Sequence, residues 1–207
     1  MLSTNKPLVE FGKLDKCLSK YGEHFECGNE KQVIYSNDIN SDDTFIILSG
    51  VISLRRGENV LVGIAQAPFI MGISDGVMKT EVQYRIMTES HCTGYHLPAT
   101  KTINIIEQCQ LWREAFCWLA WQHCILELRD LQLIGNNSYD QIRATLISMT
   151  KWDDVMRSRI GVMNYIHQRT RISRSVVAEI LAALRKGGYI EMNKGKLVSI
   201  NRLPFEY

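Results

Sequence analysis

The chain has 207 residues, 45% of them hydrophobic and 22% charged, with a formal net charge of +2. That length holds one large domain or two small ones, and the apolar share suffices for a packed core. No stretch reaches the roughly 18 uncharged apolar residues of a membrane-spanning helix, and Met1–Glu10 lacks the apolar run of a secretory signal, so a cytoplasmic location is expected.

From about residue 20 to 100 the sequence reads as short strands: Gln32–Tyr35, Thr44–Leu48, Val51–Arg55, Val60–Ala65 and Gln83–Thr88. Turn signals separate them, among them Ser36-Asn37-Asp38, Ser49-Gly50, Arg56-Gly57-Glu58-Asn59 and Ser74-Asp75-Gly76. Short strands at this spacing predict an antiparallel barrel or jelly roll.

A helical stretch follows, from about 99 to 134. Leu111–Ile134 contains neither glycine nor proline, and its apolar residues cover more than one stripe. A helix apolar on two sides needs two partners. One is the barrel; the other expected partner is the same helix of a second copy, giving a homodimer. Gly135-Asn136-Asn137-Ser138 then breaks the pattern.

In the last third, Asp140–Thr150 and Asp153–Gln168 read as helices. Ser173 is placed to cap a third helix, in which Val177, Ile180, Leu181 and Leu184 form one apolar face. Gly187-Gly188 ends it, and Tyr189–Met192 and Leu197–Ile200 make a hairpin around Asn193-Lys194-Gly195-Lys196. Arg174, Ser175, Ala178 and Glu179 lie opposite the apolar face, near the helix start. A DNA recognition helix reads base edges with such N-terminal residues. Arginine suits guanine, and glutamate accepts from the cytosine amino group. The sequence from Arg157 to Arg174 carries five arginines and no acid. From it Arg169 and Arg171, with Lys194 and Lys196 of the hairpin, are expected on phosphates.

These segments carry a resemblance. Ser173-Arg174-Ser175-Val176-Val177-Ala178-Glu179-Ile180-Leu181, then Leu184-Arg185-Lys186-Gly187-Gly188-Tyr189-Ile190 and Lys194-Gly195-Lys196-Leu197-Val198, resemble the reader of the cyclic-AMP receptor protein/fumarate–nitrate regulator (CRP/FNR) family. The resemblance implies an α+β chain: an N-terminal antiparallel jelly-roll, cyclic-nucleotide-binding-like barrel (1–108), a long dimerisation helix (109–136) and a C-terminal winged helix-turn-helix (137–207). It implies double-stranded DNA as partner, with RNA polymerase a further candidate, and base reading by Arg174, Ser175 and Glu179. The family often has an acid where Ser175 stands and an arginine where Glu179 stands, so a different half-site is expected. The turn His167-Gln168-Arg169-Thr170-Arg171 lacks the usual glycine and reads as long or irregular.

Against the nucleotide-binding members, Met71-Gly72-Ile73-Ser74-Asp75-Gly76 lacks the ribose-binding glutamate. Thr80-Glu81-Val82-Gln83-Tyr84-Arg85 lacks an arginine at the phosphate position. A buried phosphate without a charge partner is costly, so cyclic AMP is not expected. An iron–sulfur cluster needs four thiolates, and Cys17 and Cys27 stand alone near the N-terminus, so none is expected. Haem, for which His24, His91, His96 and His123 would be axial candidates with Cys17, Cys27 or Cys92, is not expected either.

The six cysteines show no C-x-x-C and read first as reduced thiols packed as small hydrophobes. Cys117 and Cys124, seven residues apart on the long helix, are candidates for oxidation across a dimer. Two other classes stay open. A cupin-like metalloenzyme would use His91 and His96 with Glu89, a weak match that shows no nucleophile–base pair. An adaptor acting through protein contacts would explain Glu179, an anion facing a polyanion.

Overall fold

The turn signals separate strands that pair into two four-stranded antiparallel sheets. In the computed structural model, residues 5–205 are described except 29, 37–41, 58, 79 and 80. One sheet holds β1 (Glu23–Cys27), β3 (Asp43–Ser49), β6 (Phe69–Met71) and β8 (Cys92–Pro98), in the order β1-β8-β3-β6. The other holds β2 (Val33–Ser36), β4 (Val51–Arg56), β5 (Val60–Gln66) and β7 (Tyr84–Thr88), in the order β2-β7-β4-β5. Neighbours drawn from distant parts of the chain give the jelly roll expected from the sequence. All five anticipated strands are there. Three others, β1, β6 and β8, are not anticipated, nor is the leading helix α1 (Leu8–Leu18).

The chain divides into two compact units, Met1–Leu126 and Glu127–Tyr207. In the first, the sheets bury Ile46, Ile47, Ile52, Ile70, Ile86 and Tyr95, and α1 adds Phe11, Leu14 and Leu18. Helix α2 (Ala99–Gln108) follows β8, and the long helix α3 (Trp112–Leu133) follows α2. Trp118 of α3 is fully buried and ties the helix to the barrel. Its indole Nε1 donates to the Ile70 carbonyl at 3.1 Å, and Gln122 Nε2 donates to the same oxygen at 2.8 Å. Phe11, Phe69 and Trp121 surround its ring at centroid distances of 5.7, 6.2 and 5.0 Å. Lys13 Nζ donates to Glu114 Oε1 at 2.7 Å, and this bond holds Glu114 below the usual carboxylate range.

The other face of α3 is uncovered: Phe116 is 71% and Leu131 75% exposed, and Ile134 just beyond it 70%. At 3.6 residues per turn, positions 116 and 123 share a stripe in the first unit, and 127, 131 and 134 share one in the second. Cys117 and Cys124, both half-buried, flank the first.

The second unit contains α4 (Ser138–Met149), α5 (Asp154–Arg159), α6 (Val162–Thr170), α7 (Arg174–Lys186) and the hairpin β9 (Ile190–Asn193)–β10 (Lys196–Ile200). Asn137 and Asp153 cap α4 and α5 by accepting from the amides of Asp140 and Met156. The single helix expected over Asp153–Gln168 is corrected to two. Ile160 and Gly161 are extended, and the hairpin satisfies the backbone groups opened there. Lys196 Nζ donates to the Arg159 carbonyl, and the Val162 amide donates to the Gly195 carbonyl at 3.0 Å.

Replacing Trp118 tests the anchoring of α3. Trp118→Ala is expected to cost the first unit about 3–5 kcal/mol, the usual range for a buried aromatic. Trp118→Phe is expected to cost clearly less, because Gln122 still satisfies the Ile70 carbonyl. Urea midpoints followed by near-ultraviolet circular dichroism measure both.

Candidate nucleic-acid interface

The geometry of the second unit begins with its turn. Helix α6 ends at Thr170, and Arg171 takes φ 64 and ψ 8, the left-handed conformation that reverses the chain. The Arg171 amide donates to the His167 carbonyl at 2.9 Å. His167 Nδ1 donates to the Ile172 carbonyl at 2.8 Å. Thr170 Oγ1 accepts from the Ile172 amide at 3.2 Å and donates to the Ile166 carbonyl at 2.8 Å. The turn is therefore Arg171-Ile172-Ser173, short and held by hydrogen bonds. That corrects the expectation of a long or irregular one: arginine stands where glycine commonly supplies a positive φ.

Ser173 then caps α7, its Oγ accepting from the Val176 amide at 3.4 Å. Val177, Leu181 and Leu184 are buried and Ile180 half-buried, so the apolar stripe is the packed face. Helix α7 packs on α6 and on β9. Arg174, Ser175, Ala178 and Glu179 are all exposed on the opposite side, where the sequence places them. The Ser175 hydroxyl already has a partner, the Ser173 hydroxyl at 3.0 Å, so any base contact from it shares that bond.

Two residues form the hairpin tip. Lys194 and Gly195 have φ 46 and 77, the all-positive pattern of a type I′ turn, which matches the twist of paired strands. The register runs Lys196↔Asn193, Leu197↔Met192 and Ile200↔Ile190, with a bulge between Leu197 and Ser199. Lys194 projects into solvent, whereas Lys196 is half-buried and committed to the Arg159 carbonyl. The tip is thus a wing fastened to the α5–α6 junction.

The arginine run does not form one patch. Arg157 is paired with Asp154. Arg159 is exposed beside the wing, and Arg171 and Arg174 are exposed at the start of α7. Arg169 is the correction: it is 8% exposed and directed inward, with Nη2 3.4 Å from Gln132 Oε1. It lies against Tyr165, whose ring packs edge-on to Trp152 at 4.8 Å. Burial pushes the Tyr165 phenol up, and the neighbouring Arg169 opposes the shift. Position in a basic run suggested a phosphate contact for Arg169; its spacing behind Tyr165 and Ile166 on α6 puts it in the core instead.

In the barrel, the segment compared with the nucleotide pocket is tied to the core. Gly72 takes φ +89, and a Cβ there would lie 2.4 Å from the Asp43 carbonyl oxygen, so only glycine fits. Ser74–Gly76 makes one short 3-10 turn, in which Asp75 Oδ2 accepts from the Tyr35 hydroxyl at 2.7 Å. Tyr35 is 2% exposed and meets Phe45 edge-on. Arg85 stands in β7 opposite Arg55; Thr80 lies outside the described residues.

The histidines named for metal or haem are dispersed. His91 bonds Glu26 at 2.8 Å, His96 bonds Asp43 at 2.8 Å and stacks on Phe45, and His24 packs on Tyr95. Glu89 is paired with Lys31. Among the described residues no group of three or more His, Cys, Asp or Glu side chains converges, and no helix is long and apolar enough to cross a membrane.

Comparison with known proteins agrees with this geometry. Residues 138–205 match the family described as winged helix-turn-helix DNA binding. In fold, the chain is similar to the c-di-GMP-responsive global regulator CLP of Xanthomonas campestris, with a TM-score of 0.72, 14% identity, and 92% of this chain and 99% of that one covered. It is also similar to a transcriptional regulator of the CRP/FNR family from Eubacterium rectale, with a TM-score of 0.71, 12% identity, and 91% and 89% covered. In sequence it is 74% identical to the inhibitor of hydrogen peroxide resistance of Escherichia coli (strain K12) and 68% identical to that of Salmonella typhimurium (strain LT2), over 207 residues and 100% of each chain. Such identity from end to end, on a jelly roll followed by a winged helix-turn-helix, places the chain in the inhibitor of hydrogen peroxide resistance family, whose fold is that of the CRP/FNR transcription regulators.

Proposed function

We propose that the protein is a homodimeric, sequence-specific DNA-binding transcriptional regulator that acts in peroxide resistance, not an enzyme. The observation that carries this reading is the outward face of α7. Arg174 and Glu179 are presented there by a packed and bonded turn, beside a wing that is fastened to the same unit. In the major groove Arg174 would read guanine and Glu179 cytosine, while Arg171 and Lys194 would hold phosphates. The name of the two relatives supplies the link to hydrogen peroxide resistance.

The uncovered stripe of α3 supports dimerisation. Burying a side chain such as Phe116 or Leu131 contributes about 1.5–3 kcal/mol. A two-fold pair uses the same stripe twice, which sets two readers for half-sites one DNA turn apart. The barrel is proposed not to take cyclic AMP. Its candidate turn offers the Asp75 carboxylate, bonded to Tyr35, and a carboxylate repels a cyclic phosphate. Location in the cytoplasm and contact with RNA polymerase go with this reading. Cys117 and Cys124 remain candidates for oxidation between copies.

Selection of binding sites from random duplex DNA is expected to enrich a two-fold symmetric motif. Arg174→Ala should then lose about 1–3 kcal/mol on that motif and relax one base position. A protein working only as an adaptor would lose nothing, and that outcome would favour protein contacts.

Salt titration separates charges at the interface from charges in the core. Lys194→Ala and Arg171→Gly are expected to weaken binding evenly across sequences and reduce the salt slope by about one each. Arg171→Gly should also hold or raise the thermal midpoint, because glycine relieves the positive φ. Arg169→Ala should lower that midpoint and leave the salt slope alone.

Isothermal titration with cyclic AMP is expected to give no saturable heat. A saturable heat would show that the barrel keeps a nucleotide site.

A further inference from the structure

The two cysteines that meet at the surface are neither on the recognition side nor on α3. Cys17 lies in the last turn of α1, and Cys109 is the residue that ends α2. Helices α1 and α2 pack together, and the two thiols are within hydrogen-bonding reach of one another. Cys109 is exposed and Cys17 half-buried against the barrel core. The segment is held on both sides of the pair. Lys101 of α2 sits 5.3 Å over the ring of Tyr21, and α1 is bound to α3 through Lys13 and Phe11. The fold thus brings together two thiols 92 residues apart in sequence.

The other four cysteines contrast with this pair. Cys27 and Cys92 are direct cross-strand partners, but both are buried, and burial pushes both thiols up. Cys92 is also engaged with the Val51 and Ser90 carbonyls at 3.5 and 3.3 Å. Cys117 and Cys124 lie seven residues apart on one helix, about 10.5 Å along its axis. A disulfide spans Cα atoms about 4.4–6.8 Å apart, so those two cannot join within one chain.

We propose that Cys17 and Cys109 form an oxidisable dithiol site, closed by hydrogen peroxide into a disulfide within one chain. The step balances. One sulfur, as its thiolate, attacks a peroxide oxygen; the O–O bond breaks and hydroxide leaves, giving a sulfenic acid. The second sulfur attacks the first; the S–O bond breaks, the S–S bond forms and a second hydroxide leaves. The two thiol protons convert both hydroxides to water. Two sulfurs are oxidised by one electron each, and the peroxide is reduced by two electrons to two waters. The product pins the end of α1 to the end of α2, just before α3 begins. Cys109 sits at the C-terminal end of α2, where the partial negative charge of the helix disfavours a thiolate. The Cys109 thiol is raised by its hydrogen bond with Cys17, which Lys20 only partly offsets. The site is therefore a slow one that needs peroxide in excess. It is independent of the DNA-binding reading.

The experiment treats the full-length reduced protein with excess hydrogen peroxide at about pH 8. Remaining thiols are alkylated and the peptides mapped without reductant. The expected result is loss of two hydrogens from the intact chain, a Cys17–Cys109 linked peptide, reversal by dithiothreitol and a higher unfolding midpoint when oxidised. In a mixture of isotopically heavy and light chains, the linked peptides should be all heavy or all light. Cys109→Ser, at an exposed position, should fold like the parent and lose no hydrogens. Links that mix heavy and light chains, links through Cys117 or Cys124 in place of this one, or oxygen addition with no Cys17–Cys109 link would each overturn the proposal.

Discussion

The left-handed residue Arg171 decides how α7 leaves α6, and the reader depends on that exit. With φ at 64 the chain reverses within three residues, and Ser173 is then in place to cap the next helix. The stripe Val177, Leu181 and Leu184 lands on α6, and only then do Arg174 and Glu179 face outward. A positive φ costs a non-glycine residue about 1–3 kcal/mol unless its surroundings hold it. Here the surroundings are specific: the His167 ring bonds the Ile172 carbonyl, and the Thr170 hydroxyl bonds the Ile172 amide. The unit gives up the easy solution, glycine, and gains a cation beside the recognition helix.

The same economy governs the rest of the basic residues. Sequence shows five arginines in a row of eighteen positions without an acid. Structure assigns them separate tasks: one paired with Asp154, one buried against Tyr165, and three exposed. The wing behaves alike, since Lys194 is presented to solvent while Lys196 closes the break between α5 and α6. Half of what reads as a phosphate surface is scaffold. The break itself is productive: the Arg159 carbonyl and the Val162 amide on either side of it are the groups that fasten the wing.

What the sequence made legible follows from physical strength of signal. A four-residue apolar stripe behind a serine cap, and a Lys-Gly tip between two short apolar runs, are local and unambiguous, so α7 and the hairpin fall where expected. Helix α1 carried a readable signal in Phe11, Leu14 and Leu18, but α1 is only 11 residues long. Strand β6 has three residues, and β8 mixes Gly94 and Pro98 into its run, so neither stands out by alternation. Gly161 was the available warning of the divided helix. The inward turn of Arg169 was foreseeable only from its helical spacing with Tyr165 and Ile166, which charge alone conceals. The approach of Cys17 to Cys109 is tertiary and had no local sign.

The mixed charge of the α7 face bears on how such a reader would discriminate. An arginine attracts every phosphate and therefore adds affinity on any sequence as well as on the right one. A glutamate on the same face is repelled by every sequence, and recovers that loss only where a cytosine amino group can donate to it. On the proposed reading, Arg174 and Glu179 together would lower the general attraction of the face and widen the gap between a matched and a mismatched site. General attraction would then come from the turn and the wing, where Arg171 and Lys194 are exposed. On this account the arginine in the left-handed turn and the glutamate on the helix belong to one arrangement: the turn supplies the cation that the reading face partly forgoes.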